Sequence, residues 1–228
     1  MTDKVVALAD EIEARIAALP DLRNATVRDL RRAYSRDLKG AEAAFILALA
    51  LELIARPGFP PRMIAYELVY HHRPARRSLD AEKVVALGAG MNSWYDVDTF
   101  GSYISGAAWR EGHLPDEVVL GWTQSADRWW RRAALVSTTE LNKKSRGGTG
   151  DTPRTLAVCR TLVADYDDMI VKALSWALRM LAPWDPDAVW AFLTEYEDVL
   201  AARIKREVRN KLETGRKNPK ISDRPTSL

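Results

Sequence analysis

One cysteine, Cys159, stands in a chain of 228 residues. A disulfide framework is excluded, and so is any zinc site built on cysteines. Cys159 itself, among Leu156, Ala157 and Val158, reads as a buried thiol. Histidine is nearly as scarce, with only His71, His72 and His113. Neighbouring helical positions point about 100° apart, so His71 and His72 make a poor two-ligand site. Arg73, Arg76 and Arg77 follow them and would repel a cation. A phosphate-facing or solvated patch is the better reading of that stretch. Long apolar runs are missing as well. The longest, residues 43–51, makes about 14 Å of helix, roughly half of a bilayer core. The amino terminus carries acids where a signal peptide carries bases, so a cytoplasmic protein with no membrane partner is expected. Neither GxGxxG, nor a P-loop, nor His-Glu-x-x-His is present, and no cofactor or metal is expected.

An excess of one charge is also lacking. Lys and Arg total 34 against 31 Asp and Glu, a net +3. That is too small to announce a nucleic-acid binder, although a pI near 9.0 permits one. The average conceals an asymmetry. Residues 1–127 hold 15 bases and 18 acids, a net −3, whereas residues 128–228 hold 19 and 13, a net +6.

What is abundant is Ala, Leu, Arg and Glu, and alternating β-rich runs are absent. The sequence predicts an all-α protein. Helices are expected over residues 4–19, 26–39, 41–55, 62–71 and 81–87, the last capped by Asp80, and another from Trp94 behind Asn92 and Ser93. Three pairs follow: 116–124 with 127–141, 152–164 with 167–181, and 185–200 with 201–213. The pairs begin 36 and then 33 residues apart, the mark of stacked helical hairpins. Arg132-Ala133-Ala134-Leu135 stands 40 residues before Lys172-Ala173-Leu174-Ser175, and small residues at the same phase, as Ala133 and Ala173 are, let second helices approach closely. The expected architecture is a curved α-solenoid with a concave groove. A single domain over residues 1–213 would be followed by a flexible basic tail, 214–228.

Chemistry concentrates in a few segments. In residues 92–101, Trp94 and Asp98 are four apart and share a helical face, while Asp96 points elsewhere. A carboxylate beside an indole can stabilise a developing positive charge. It can equally be a helix cap beside a core tryptophan. Trp129 and Trp130 read as core. Arg28, Arg32 and Arg36 form one basic stripe and Arg203, Arg206 and Arg209 another, each either a solvated face or a phosphate track. Lys143, Lys144 and Arg146 open a basic, glycine-rich loop.

Three stretches carry a resemblance: Ser93-Trp94-Tyr95-Asp96-Val97-Asp98, residues 125–135 with Trp129-Trp130-Arg131-Arg132, and residues 172–179 with Lys172 and Trp176. Together, over residues 25–213, the chain resembles the AlkD-type DNA-alkylation-repair glycosylases, built from HEAT-like repeats. The resemblance implies hydrolysis of the N-glycosidic bond of cationic purines such as 3-methyladenine and 7-methylguanine. It implies Asp98 as the catalytic carboxylate, with Trp94 and Trp176 beside the substrate. Arg132 would hold the DNA backbone, with Lys172, Lys143, Lys144 and Arg206 as further contacts. A register shift of two would make Asp96 the catalytic residue instead. The implied protein is a monomer whose partner is duplex DNA containing alkylated bases. A non-catalytic DNA-structure-binding relative on the same fold and a protein-binding scaffold are the alternatives.

Overall fold

The computed structural model describes residues 2–219. Among them every regular element is a helix. They gather into two compact units that divide between Leu114 and Pro115.

The first unit holds α1 (Thr2–Ala17), α2 (Asn24–Asp37), α3 (Ala43–Ile54), α4 (Phe59–His71), α5 (Arg73–Arg77) and α6 (Ala81–Leu87). It closes with α7 (Trp94–Phe100), a π-helical turn at Gly101–Ser105, and α8 (Gly106–Arg110). Helix α4 is its centre, with residues 61–69 buried without interruption. A helix buried on every side must satisfy any polar group it carries. Glu67 accepts from Arg28 at 2.7 Å and Arg31 at 3.0 Å, both on α2. Tyr66 donates its hydroxyl to the Leu87 carbonyl at 2.8 Å, and burial pushes that phenol up to about 12. The stripe expected on α2 is therefore not one track, because Arg28 faces Glu67 while Arg32 pairs with Asp29.

The second unit holds α9 (Asp116–Trp122), α10 (Arg128–Asn142), a 3-10 turn at Lys144–Arg146, α11 (Thr152–Thr161), α12 (Asp168–Leu181), α13 (Pro186–Glu195) and α14 (Ala202–Thr214). These are the three expected hairpins. Their second helices pack in succession, α10 on α12 and α12 on α14. The residues that permit this are small, and Ala133, Ala134, Ala173, Ser175 and Ala177 are all buried. Aspartates start four of the helices: Asp127, Asp151, Asp167 and Asp185 each accept a backbone N–H of the first turn. Cys159 is fully buried, which raises its thiol to about 12.

Several elements differ from expectation, the unforeseen α5 among them. The helix predicted over 185–200 ends at Glu195. Glu195, Glu197 and Asp198 crowd its carboxyl end, where the helix dipole disfavours acids. The helix from Trp94 also passes into a π turn, at a place where Gly101, Ser102, Ser105 and Gly106 put little bulk on the backbone. Of the segment expected as a tail, residues 220–228 lie outside the described residues. Its first residues fold back, with Gly215 at φ 72° and Lys217 Nζ 3.3 Å from Glu207. Among the described residues no helix is long and apolar enough to cross a membrane.

Candidate functional site

In the first unit the candidate site is the start of α7. Ser93 caps it, its Oγ accepting the Asp96 N–H at 3.3 Å. Asp96 is 6% exposed. Its Oδ2 accepts the Asn92 N–H at 3.3 Å, and its Oδ1 lies 3.9 Å from Arg62 Nε. Asp96 thus ties the turn before α7 to α4. Arg62 anchors the other side of that joint. It donates to the Ile54 carbonyl at the end of α3, to the Ala89 carbonyl after α6, and to Tyr66 Oη.

Trp94 and Asp98 lie one turn apart on α7, so they share a face. Trp94 is 45% exposed and Asp98 is half-buried. The Trp94 indole stacks on Tyr95 with ring centres 3.8 Å apart, and Tyr95 packs on Phe59 at 4.6 Å. A layered aromatic surface therefore flanks the carboxylate helix. A cavity of about 760 Å³ opens at this end of α7, with Phe59, Arg62, Asn92, Ser93 and Asp96 in its walls.

In the second unit two basic clusters form. The first surrounds Asp168 at the start of α12. Lys172 Nζ lies 2.5 Å from its carboxylate and Arg203 3.2 Å. The bond from Lys172 holds Asp168 below the usual carboxylate range, and the fields of Arg203 and Arg132 add to it. Arg132 is buried, and its guanidinium donates to the Met169 carbonyl. The second cluster lines a cavity of about 560 Å³. Lys143, Lys144, Arg179, Lys211 and Lys217 contribute cations to it, among the described residues no carboxylate lines it, and the half-buried Trp176 forms a wall. Trp184 is also in the wall, but its indole N–H is used on the Asn142 carbonyl at 2.8 Å. Burial draws the Arg179 pKa down, and Glu207, 3.9 Å away, opposes that.

The structure thus brings Trp94 and Asp98 to one face of α7. It brings Trp176, Lys143 and Lys144 to one cavity, and Arg132 with Lys172 to Asp168. Arg206 is exposed on α14 and lines neither this cavity nor the Asp168 cluster. Sequence patterns alone missed Arg179, Lys211 and Lys217. Arg179 was within reach, since it lies three residues after Trp176 on the same helix. Trp130 packs on Trp122 at 5.0 Å, in keeping with a structural part. Among the described residues no group of three or more His, Cys, Asp or Glu side chains is placed to hold a metal ion.

The sequence model of a protein family described as DNA alkylation repair enzyme matches residues 20–212. The chain belongs to that family. No curated protein and no solved structure matches it. The α7 region and, apart from Lys217, the basic clusters of this DNA alkylation repair family member fall inside the matched span, and its membership supports a role in the repair of alkylated DNA.

Proposed function

We propose that this family member is a DNA glycosylase that hydrolyses the N-glycosidic bond of cationic alkylated purines, such as 3-methyladenine and 7-methylguanine, in duplex DNA. One observation carries the assignment of roles. Of two carboxylates in the same turn, Asp96 is buried and engaged by Arg62 and Asn92, whereas Asp98 shares a face with an exposed indole. Asp98 is then the catalytic residue and Asp96 a structural one.

The chemistry needs only one acid. An N3- or N7-alkylated purine is already a cation, so it leaves without strong protonation. What remains is to stabilise the oxocarbenium-like deoxyribose and to orient a water. A carboxylate does both by electrostatics. An indole face beside the sugar adds attraction that grows as positive charge develops. Trp94 supplies one such face, and Trp176 is assigned a second contact to the substrate. Lys143, Lys144, Arg132, Lys172 and Arg206 are assigned to the DNA backbone, where each cation acts without sequence preference. Cations already held by Asp168, as Lys172 is, would exchange one anionic partner for another.

Base release tests the proposal. Methylated duplex is incubated with the protein and free 7-methylguanine and 3-methyladenine are measured. Asp98→Asn is expected to lower the rate by about 10²-fold or more while DNA binding is kept. Asp96→Asn is expected to lower stability and to spare the rate of the folded fraction. Trp176→Ala should give a smaller loss than Asp98→Asn. Release no faster than the spontaneous reaction, with DNA binding intact, would replace this reading with a non-catalytic DNA-binding one.

A further inference from the structure

The glycosylase reading leaves Arg179, Lys211 and Lys217 without a part, although all three line the cavity of about 560 Å³ in the second unit. Arg179 is held from behind. Its Nε donates to Ser175 Oγ at 3.2 Å, and Ser175 donates in turn to the buried Glu207 at 2.7 Å. Among the described residues its two Nη groups have no hydrogen-bond partner, yet neither is sealed from solvent. A fork of donors is therefore fixed at its base and open at its tip. Lys217 Nζ stands 3.3 Å from Glu207 and Arg179 Nε 3.9 Å, so one carboxylate draws both cations together. Glu207 and Glu140, which pair with cations of the cavity, are buried, and each also serves a further arginine, Arg203 and Arg146. Among the described residues no carboxylate lines the cavity, so positive charge is in excess there and selects an anion.

The walls add a second requirement. Trp184 is fixed at two points. Its indole N–H is bonded to the Asn142 carbonyl, and Gly150 lies so close that a Cβ there would fall 2.7 Å from Trp184 Cγ. Trp176, Met180 and Pro183 extend this apolar surface, on which a planar ring can stack. The volume falls within the roughly 300–1,000 Å³ of small-molecule sites and exceeds what a lone phosphate needs. An anion and a flat ring in one ligand describe a nucleotide.

We propose that this cavity binds a nucleotide, with its phosphate on Arg179 and Lys217 and its base against Trp184. A free nucleotide and a unit of a DNA strand offer the same chemistry. Lys217 lies beyond the span matched to the family, so the site as assembled is a feature of this chain. It shares Trp176, Lys143 and Lys144 with the glycosylase reading but does not rest on it, because binding is measured without base release.

Calorimetry on the full chain tests the site with dAMP, inorganic phosphate and a short unmodified duplex. Saturable binding of dAMP is expected, about tenfold or more tighter than that of phosphate, because only dAMP can stack. Arg179→Met keeps an apolar stem and loses the fork, so it should weaken dAMP by about tenfold or more. Lys217→Ala replaces a half-buried side chain beyond α14 and should weaken dAMP about threefold in a chain that melts close to the parent. Trp184→Leu should bring dAMP down to the affinity of phosphate. Duplex that displaces dAMP assigns the site to a DNA strand, and dAMP binding that duplex leaves untouched assigns it to a free nucleotide. Three results would each overturn the proposal: no saturable dAMP binding, phosphate bound as tightly as dAMP, or dAMP affinity unchanged in both Arg179→Met and Lys217→Ala.

Discussion

Two carboxylates two residues apart can have opposite fates, and α7 shows why. Position 96 faces α4 and meets Arg62, whereas position 98 sits on the face of Trp94. The i to i+4 relation of Trp94 and Asp98 was legible in the sequence because it is local. The tie to Arg62 was not, because Arg62 lies 34 residues before Asp96 and collects carbonyls from two other helix ends. Arg62→Met should cost about 3–5 kcal/mol, since it strands a buried carboxylate and two carbonyls. Urea unfolding of Arg62→Met, Asp96→Asn and the double variant checks it. The double variant is expected to be less destabilised than the two single losses added together.

At the scale of elements, helix starts were the most readable feature. Asp80 and Ser93 cap α6 and α7 as their side-chain chemistry predicts. Helix α5 escaped notice because its cap is a histidine and its length is a bare five residues. The loop after α10 is set by packing that no local pattern encodes. A Cβ at Gly148 would fall 2.5 Å from the Lys143 nitrogen and 2.8 Å from the Glu140 and Leu141 carbonyl oxygens. Backbone cannot yield as a side-chain tip can. Gly148→Ala should therefore destabilise the protein by about 2 kcal/mol or more and displace Lys143 and Lys144. Thermal melting reads the first effect. Weaker DNA binding at fixed salt reads the second, and an unchanged melt would refute the steric argument.

For the whole molecule, the all-helical class and the hairpin period were legible, because a repeat of about 35 residues survives any error in single helix ends. The division into two units was not, and it alters the charge argument. Split at the unit boundary, the first unit holds 15 bases and 15 acids, and the second 19 bases and 16 acids. The net +3 thus belongs to the second unit, in milder form than the split at residue 127 suggests, because Asp116, Glu117 and Asp127 belong to it too. DNA affinity should fall steeply with salt. Lys143→Ala/Lys144→Ala should make the log–log slope shallower by roughly 0.9 for each phosphate the protein no longer neutralises. The acids set a second whole-molecule property. Glu207 is raised by burial, but bonds from Ser175, Arg203 and Lys217 outweigh this and leave it below its ordinary 4.5. Asp168 lies below its ordinary 3.8. Both therefore bind protons more weakly folded than unfolded. Their stabilisation is present above those ordinary values and is lost as pH falls through the lower folded ones. Glu207→Gln should be less stable than the parent at neutral pH, and the gap should narrow on acidification, as melting curves across that range would show.

The π turn after α7 has a consequence for length as well as shape. Bonding from i to i+5 houses one residue more than the α pattern would. The segment from Trp94 to Arg110 can thus be regarded as an α-helix that has accepted an insertion. Removing Ser102 would restore the α pattern and leave the residues beyond on the faces they occupy now, because the wider turn has absorbed the extra residue. Trp109, now 1% exposed, would keep its place in the core. The spacing of Trp94 and Asp98 would not change either. A one-residue deletion at this turn is therefore expected to spare both jobs of the helix, its chemical face and its packing.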